Sequence, residues 1–343
     1  CEAVDGCNVR QELRAGRGEG MSEGQRGGSP KRAAGDIVLP FQTEASRVSG
    51  RLVRLADTVD AVLKRHAYPN PVSEALGQML ALAALLGTAL KFEGRLTLQT
   101  KSDGPLGFMV ADFSTPGFVR GYASFDAERY TALASAGAVT QGDLVGRGHL
   151  AMTIDPGGDM QRYQGIVALD HATLTDAALA YFRQSEQLPT FLRLAVAREA
   201  AGSSKDGWQW RAGGLLLQHV SPVGGRTSEQ QVAAEERGLL HGEDDEDWRR
   251  VEILAATVED HELVDPQLAP ERLLYRLFHE EGVRVAPAQP IGEYCTCSRE
   301  RVHTMLQSFG PEQLADMKEA DGTIAVTCEF CSKRYPFRDE DLL

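Results

Sequence analysis

The sequence has no apolar run long enough to span a bilayer. Its most apolar stretch, residues 75–90, is shorter than the roughly 20 residues that a membrane helix needs, and it contains Gln78 and Thr88. A continuous apolar signal segment near the start is also missing, and so is any G-x-x-x-x-G-K-[ST] motif. We therefore expect no membrane partner, a cytoplasmic location and no P-loop ATPase chemistry.

Positive charge is scarce as well. The chain carries 36 Lys and Arg residues against 49 Asp and Glu residues, which gives a net charge of -13. Phosphate backbones are bound by clustered cations, so this balance disfavours nucleic acid as a main partner. The hydrophobic content of 42% is ordinary for a chain with a substantial core, and 343 residues exceed one average domain. We expect one large domain and a smaller one.

The first residues differ in composition from the rest of the chain. Residues 1–36 are rich in Gly, Arg, Glu and Ser and contain almost no large apolar side chains. This composition predicts a disordered leader over residues 1–35. The first methionine is Met21, so we interpret the leader as a passive tail or a misplaced start, and we assign Cys1 and Cys7 to no site.

Residues 36–222 alternate between strand-like and helix-like patterns, and turn dipeptides such as Asp103-Gly104 and Pro156-Gly157 separate many of them. Helices are predicted over residues 58–66, 75–90 and 175–187. Strands are predicted over residues 37–42, 48–55, 96–101, 108–113, 118–125, 149–154, 163–169, 191–198 and 208–218. The pattern indicates an α+β fold, with a mostly antiparallel sheet core domain that also contains helices.

An acidic helical linker is predicted over residues 223–284, after a composition break at Val223-Gly224-Gly225. Residues 229–265 hold thirteen carboxylates and three arginines, a net charge of -10. The apolar residues keep helical spacing, which predicts two amphipathic helices of low intrinsic stability. Their apolar faces are Val251, Leu254, Ala255 and Val258 on the first, and Leu273, Leu274, Leu277 and Phe278 on the second.

Residues 285–343 contain four of the six cysteines, in the pattern C-x-C, thirty residues, C-x-x-C. Four soft thiolates on two short segments suit tetrahedral Zn²⁺, with Zn–S distances near ~2.3 Å and no position left for a catalytic water. We predict a small C-terminal four-cysteine zinc domain with Cys295, Cys297, Cys328 and Cys331 as ligands. On spacing alone, a purely structural zinc ribbon is an equal alternative.

Local features favour reactive sulfurs. Cys297 directly precedes a helix predicted over residues 298–309, whose N-terminal dipole stabilises a thiolate. Nearby cations are Arg299, Arg301, Lys333 and Arg334. Each cysteine pair is close enough in sequence to form a local disulfide, and this would expel the metal. Zinc binding in such small domains supplies on the order of 10 kcal/mol of folding energy, so its loss should unfold the tail.

Several segments together resemble a known family. They are LQTKSDGPLGFMVADF at residues 98–113, YFRQSEQLPT at 181–190, GGLLLQ at 213–218, LFHEE at 277–281, CTCSRERV at 295–302 and CEFC at 328–331. From about Asp36 onward, the sequence is similar to the redox-regulated thirty-three-kilodalton heat-shock chaperones of bacteria. Its four C-terminal cysteines match that family's zinc and redox cysteines one for one, whereas the leader departs from the pattern.

The resemblance implies an ATP-independent holdase rather than an enzyme. Its reduced, zinc-bound form would be inactive, and oxidants would convert the cysteines to disulfides. Zinc would then leave, and the linker would unfold to expose surface for unfolded or aggregation-prone client proteins under oxidative and heat stress. A dimer is the expected oxidised state, although the sequence does not distinguish it from a larger assembly.

Two other classes of function stay open. A thiol-disulfide oxidoreductase could use Cys328 and Cys331, but both flanks of that motif predict a hairpin over residues 323–337 rather than a strand followed by a helix. A nucleic-acid-binding zinc ribbon would need a basic, aromatic-lined surface, which the acidic linker disfavours. A GxGxxA match at residues 146–151 is followed by a predicted strand, which disfavours a dinucleotide site.

Overall fold

A computed structural model describes residues 31–90, 93–158, 160–202, 204, 206–219 and 246–342. Cys1, Cys7, most of the predicted leader and the first part of the predicted linker lie outside these residues. The chain divides into two compact units that meet in sequence at Tyr294 and Cys295. We call them the sheet unit and the cysteine unit.

The sheet unit is built on one large sheet with helices against it. Its strands are β1 (Lys31–Thr43), β2 (Ser49–Leu55), β3 (Arg95–Ser102), β4 (Phe108–Ser114), β5 (Phe118–Ser124), β6 (Arg147–Asp155), β7 (Tyr163–Asp170), β8 (Thr190–Ala200), β9 (Trp208–Gln218), β10 (Val283–Val285) and β11 (Gln289–Glu293). Its helices are α1 (Asp57–Leu63), α2 (Asn70–Gly87), α3 (Ala127–Ala136), α4 (Gln141–Val145), α5 (Leu174–Tyr181), α6 (Glu246–Ala256), α7 (Asp260–Val264) and α8 (Pro270–Phe278).

The spatial order of the strands is β7-β6-β3-β4-β5-β11-β1-β2-β9-β8, with β10 also paired to β1. Among the described strands, only β11 against β5 is parallel. The predicted α+β fold with a mostly antiparallel sheet is therefore confirmed. No helix in the described ranges has both the length and the apolar character that crossing a membrane would require.

Strand β1 corrects the predicted leader. It starts at Lys31, so residues 31–35 belong to the sheet, although their composition predicted disorder. Lys31 and Arg32 pair with β11, a strand that the sequence patterns did not predict. Backbone pairing supplies order here that side-chain composition does not reveal.

Two predicted helices differ from their predictions, and two further helices were not predicted. The predicted helix 75–90 is α2, which starts at Asn70 because Pro71 fits the first turn of a helix. The short helices α3 and α4 were not predicted. The predicted helix 175–187 is α5 followed by a π-helical turn, Phe182–Glu186, which ends at Gln187 in the left-handed region with φ 51°.

The two faces of the sheet are covered by different elements. One face packs against α2, whose side chains are buried along most of its length. On the other face lies a second apolar cluster, formed with the linker helices α6, α7 and α8. Alternation along β2 separates the clusters, since Leu52 belongs to the linker side and Val53 to the α2 side.

The predicted apolar stripes of the linker are largely confirmed. On α8, the four predicted residues, Leu273 to Phe278, are buried, and so are Val251 and Ala255 on α6 and Val258 just after it. Leu254 is only half-buried at the rim of this cluster. The described linker residues belong to the sheet unit, and the predicted domain boundaries stay predictions.

In the described residues the cysteine unit contains three short helices and a hairpin, of which the first helix and the hairpin lie close to the predicted helix 298–309 and hairpin 323–337, and the last helix was not predicted. These are α9 (Arg299–Leu306), α10 (Pro311–Asp316), α11 (Asp339–Leu342), and β12 (Ile324–Thr327) paired with β13 (Arg334–Phe337). Its buried hydrophobic cluster consists of Leu306, Ile324, Tyr335 and Phe337. So small a core makes an additional crosslink or metal physically sensible.

Candidate metal centre

The four C-terminal cysteines lie together in the cysteine unit. The sulfurs of Cys295, Cys297, Cys328 and Cys331 all lie within 4.8 Å of one another, and each side chain is half-buried. The Cys295 and Cys328 sulfurs are 3.7 Å apart, and those of Cys297 and Cys331 are 3.3 Å apart. A tetrahedral thiolate site with metal–sulfur distances of ~2.3 Å has sulfur–sulfur edges of about 3.8 Å, so the cluster has the size that such a metal needs.

The first pair is positioned by the start of α9. Ser298 is the N-cap, and its hydroxyl accepts a hydrogen bond from the Arg301 backbone N–H at 3.2 Å. Arg301 in turn donates to the Thr296 carbonyl oxygen at 2.8 Å, which fixes the short segment between Cys295 and Cys297. The sequence correctly predicted that Cys297 would directly precede a helix.

The second pair sits in the turn of the β12–β13 hairpin. The Cys328 N–H donates to the Lys333 carbonyl at 2.9 Å, and the Ser332 N–H donates to the Cys328 carbonyl at 2.7 Å. Ser332 adopts the left-handed region with φ 56°, which lets the chain reverse tightly around Cys331. This hairpin setting differs from the strand-to-helix position that a thioredoxin-like motif requires.

Tyr335 is part of the site and was not identified from the sequence. Its side chain is buried, and its hydroxyl lies 3.1 Å from the Cys297 sulfur. A phenol can donate a hydrogen bond to a thiolate, so Tyr335 can stabilise the charged form of Cys297. The signal available in the sequence was the alternation of Tyr335 and Phe337 on β13, which predicts only that both rings share a buried face.

The cations expected to activate the sulfurs have other partners. The Arg299 guanidinium lies 4.3 Å from the centre of the Phe337 ring and pairs with Asp341 at 3.0 Å. Lys333 lies 5.1 Å from the centre of the Tyr335 ring, and Arg334 forms an ion pair with Glu319. Their charge is therefore shared with neighbouring groups rather than devoted to the thiolates.

The thiol groups titrate as a set, because each lost proton changes the charge that the other sulfurs face. Hydrogen bonds from Cys297, Cys328 and Cys331 hold the pKa of Cys295 far below its usual range. Cys295 raises the pKa of Cys297, but bonds with Cys328, Cys331 and Tyr335 outweigh this and lower it to about 7. The same thiolates raise the pKa of Cys328 and Cys331. Two sulfurs thus ionise readily, and a bound cation would favour ionisation of the others.

Similarity to known proteins agrees with this geometry. A family model described as Hsp33 protein matches residues 36–338. The chain belongs to the Hsp33 family. The matched region runs from β1 through both cysteine pairs, so it includes the sheet, the linker helices and the whole cluster of sulfurs.

Curated relatives of this Hsp33 chain are named 33 kDa chaperonin. One from Caulobacter vibrioides strain NA1000 / CB15N is 44% identical over 302 residues, which cover 88% of this chain and 94% of the relative. Another from Ectopseudomonas mendocina strain ymp is 39% identical over 308 residues, covering 90% and 94%. These relatives support a chaperone for this member of the Hsp33 family.

A crystal structure of the 33 kDa chaperonin of Thermotoga maritima, a heat shock protein 33 homolog, has a similar fold. It matches with a TM-score of 0.67 at 24% identity, covering 90% of this chain and 96% of that chain. The predicted GxGxxA segment has no place in this Hsp33 fold as a nucleotide site, because residues 147–155 form strand β6 where a phosphate-binding helix would be needed.

Proposed function

We propose that this Hsp33 chain is a redox-regulated, ATP-independent holdase. In the reduced state, Cys295, Cys297, Cys328 and Cys331 would bind one Zn²⁺ and keep the cysteine unit folded. After oxidation of these cysteines to disulfides, the linker would unfold and uncover an apolar surface for unfolding client proteins. The supporting observation is that the linker, which precedes the cysteines in the chain, covers one face of the sheet with apolar side chains.

The covered face would be the client-binding surface. On the sheet side it consists of Leu39, Phe41, Val48, Leu52, Ala195, Leu215 and Leu217. Phe41 stacks on Phe278 of α8 with ring centres 5.6 Å apart. Removing α6 and α8 would expose these residues as one patch, and contiguous exposed apolar patches bind other apolar surfaces without sequence specificity.

Besides its apolar contacts, the linker is held on the sheet by hydrogen bonds and an ion pair from two arginines. Arg54 of β2 donates to the carbonyl oxygens of Glu262 and Asp265 at the end of α7, and Arg193 of β8 pairs with Asp260 at 2.7 Å. The sheet thereby offers cations to an acidic segment that would repel itself when alone. Because the linker helices α6 to α8 are short, they depend on docking for their order.

The proposed switch is a two-electron oxidation of each cysteine pair. A thiolate attacks a peroxide, becomes a sulfenic acid and releases hydroxide or water; a second thiol then attacks the sulfenic sulfur, and the disulfide forms with loss of water. Two pairs therefore consume two equivalents of peroxide. Bound Zn²⁺ would supply only charge and geometry, holding four thiolates in one unit. Disulfide sulfurs are poor ligands, so the oxidised unit loses its internal crosslink.

We expect the disulfides to join Cys295 to Cys297 and Cys328 to Cys331. In the folded unit the short sulfur–sulfur distances run between the pairs, at 3.7 and 3.3 Å, so geometry alone would favour cross-links between them. Once the unit loosens, closing the long loops costs about 2 kcal/mol more than closing the short ones. Peptide mapping after full oxidation tests this pairing, and a dominant disulfide between Cys297 and Cys328 would contradict it.

The function is tested by light scattering from a client protein that aggregates on heating. The protein is added either reduced with one equivalent of Zn²⁺ or oxidised with peroxide, and only the oxidised form should suppress scattering. A variant with Cys328→Ser and Cys331→Ser, added before and after peroxide, separates the cysteine switch from general oxidation. Equal suppression by the reduced wild-type protein would contradict the proposed regulation.

The proposed function also implies which class of partner this protein binds. The partners are unfolded or aggregation-prone proteins in the cytoplasm rather than nucleic acid or a membrane, and the protein acts as no enzyme. We propose a dimer for the oxidised protein, since exposed apolar faces of two copies can also bind each other. Sedimentation of the reduced and oxidised forms distinguishes a dimer from larger assemblies.

A further inference from the structure

Strand β11 joins two halves of the sheet. It is the described strand that lies between β5 and β1, and it separates the group β7-β6-β3-β4-β5 from the group β1-β2-β9-β8. It runs parallel to β5, pairing at Gly292 and Glu293, and antiparallel to β1. Strands two places apart are about 9.6 Å from each other, so the slot that β11 fills is one strand wide.

By its own composition β11 is a weak strand. It has five residues, Pro290 offers no backbone N–H, and Gly292 offers no side chain. Ile291 is its one large apolar side chain, and this residue is fully buried. The pairing with β1 shifts register between Arg32 and Ile37, which leaves the ladder interrupted.

Both ends of β11 continue into segments of the proposed switch. Tyr294 donates its N–H to the Val119 carbonyl at 3.3 Å, and its ring centre lies 5.8 Å from that of Phe118. The next residue in the chain is Cys295. On the other side, the linker helices lead into β10, which pairs with β1 at residues 41–43, and β10 leads into β11. When β10 comes away with the unfolding linker, β11 is restrained at neither of its ends.

The slot itself would persist without β11. Helix α2 contacts β3, β4 and β5 of one half and β2, β8 and β9 of the other, so it holds the halves at their spacing. Departure of β11 would therefore leave two facing edges of unpaired backbone, along β5 and along residues 31–38 of β1, with an apolar cavity where Ile291 had been. Unpaired strand edges bind extended chains through main-chain hydrogen bonds.

We propose that the slot between β5 and β1 is a docking site for an extended segment of an unfolded client, which replaces β11 in the oxidised protein. This inference rests on the proposed function, since it needs the cysteine switch to release the strand. The slot would accept chains of varied sequence because backbone groups supply most of its contacts. It would favour a segment with an apolar residue at the Ile291 position and would disfavour consecutive prolines.

The competing site for an extended client is the outer edge of the sheet at β7. That strand exposes Ile166 and Tyr163, with 59% and 45% of their surfaces accessible. No described strand pairs with its outer edge, so docking there would need no switch. A test must therefore compare the slot with this edge.

Hydrogen exchange and photo-crosslinking test the slot in the full-length protein. On oxidation, the amides of Gly292 and Tyr294 should lose protection while those of Leu98 in β3 keep it. A photoreactive residue is placed at Phe118 on one wall, at Ile37 on the other wall as a second probe, or at Ile166 on β7. With an oxidised protein and an unfolded client, crosslinks should form at 118 and 37 and not at 166.

A strand variant gives an independent readout. Ile291→Asp should release β11 without oxidation, so the reduced, zinc-loaded variant should crosslink the client at position 118. Pro290→Asp places the same charge on an exposed neighbouring residue and should not. Crosslinks only at 166, or protected β11 amides in an oxidised protein that still suppresses aggregation, overturn the slot and leave the holdase intact. An oxidised protein that suppresses no aggregation overturns both.

Discussion

The sheet unit and the cysteine unit obtain their order by different means. In the sheet unit, α2 and the strands bury a continuous apolar cluster on one face, and that cluster needs none of the cysteines. In the cysteine unit, the buried cluster is four side chains, and the four sulfurs lie beside it. From this difference we expect one unit to be stable by packing alone and the other to depend on the state of its sulfurs.

A similar contrast exists between the two faces of the sheet. The helix on one face, α2, is apolar nearly all round, which suits permanent burial. The helices on the other face carry apolar stripes on mostly charged surfaces, with Glu271, Arg272 and Arg276 exposed on α8. Their polar surface is compatible with water, which fits the proposed role of a cover that detaches.

The largest expected effect is that of a variant which unfolds the cysteine unit and leaves the sheet unit folded. Cys328→Ser leaves three thiolates, so zinc content should fall sharply and the cysteine unit should unfold, with loss of a binding energy on the order of 10 kcal/mol. The sheet unit should keep its melting transition. Metal analysis and hydrogen exchange of residues 299–337 against residues 96–101 measure this, with Cys7→Ser as the control.

Full zinc content in Cys328→Ser would contradict the ligand assignment. If both units unfolded in that variant, the sheet unit would not be stable by its own packing, because its folding would then depend on the cysteine site.

A second pair of variants compares the buried side of the linker helices with their exposed side. Val251→Asp with Leu277→Asp buries two charges in the linker cluster, which costs several kcal/mol, so α6 and α8 should detach while the reduced protein retains zinc. We expect suppression of client aggregation without oxidant. The matched control is Ile253→Asp with Tyr275→Asp, at positions that are 68% and 64% exposed on the same helices.

A reduced, zinc-loaded double variant that has lost protection over α6 and α8 yet binds no client would show that the covered face is not the client surface. Holdase activity in the control variant would mean that added charge, rather than loss of docking, activates the protein.

A smaller effect is expected at a close approach between the sheet and the linker. A Cβ on Gly213 of β9 would collide with the carbonyl oxygen of Leu263 at the end of α7. Gly213→Ala should therefore weaken linker docking by about 1–3 kcal/mol, the usual cost of overpacking. Faster exchange in α7 and activation by less oxidant are the readouts. Gly202→Ala, in an open turn where nothing lies within 4 Å, should leave both unchanged.

The smallest effect concerns the edge of the sulfur cluster. Tyr335→Phe removes the hydroxyl 3.1 Å from the Cys297 sulfur and keeps the ring in the small core. Groups that orient metal ligands typically contribute at least about tenfold to affinity, so zinc affinity should fall by about that factor without unfolding. Competition with a chelator measures it, and an unchanged affinity would show that Tyr335 serves only packing.

The sequence alone determined the local features of this protein. Strand alternation, turn dipeptides and helical spacing predicted most strands of the sheet, the buried stripe of α8 and the hairpin around the second cysteine pair. Cysteine spacing identified Cys295, Cys297, Cys328 and Cys331 as one candidate site, because two short thiol pairs have few other uses in such a chain. These properties depend on residues that are near one another in sequence.

Only the tertiary structure decided the features that join distant residues. Strand β11 is too short and too rich in Pro and Gly to be predicted, and it exists because β1 and β5 bind its backbone on both sides. The same holds for residues 31–35, for the contact of Tyr335 with Cys297, and for the fit of Gly213 against Leu263. Each depends on partners far away in the chain, and no local pattern encodes which partner the fold will supply.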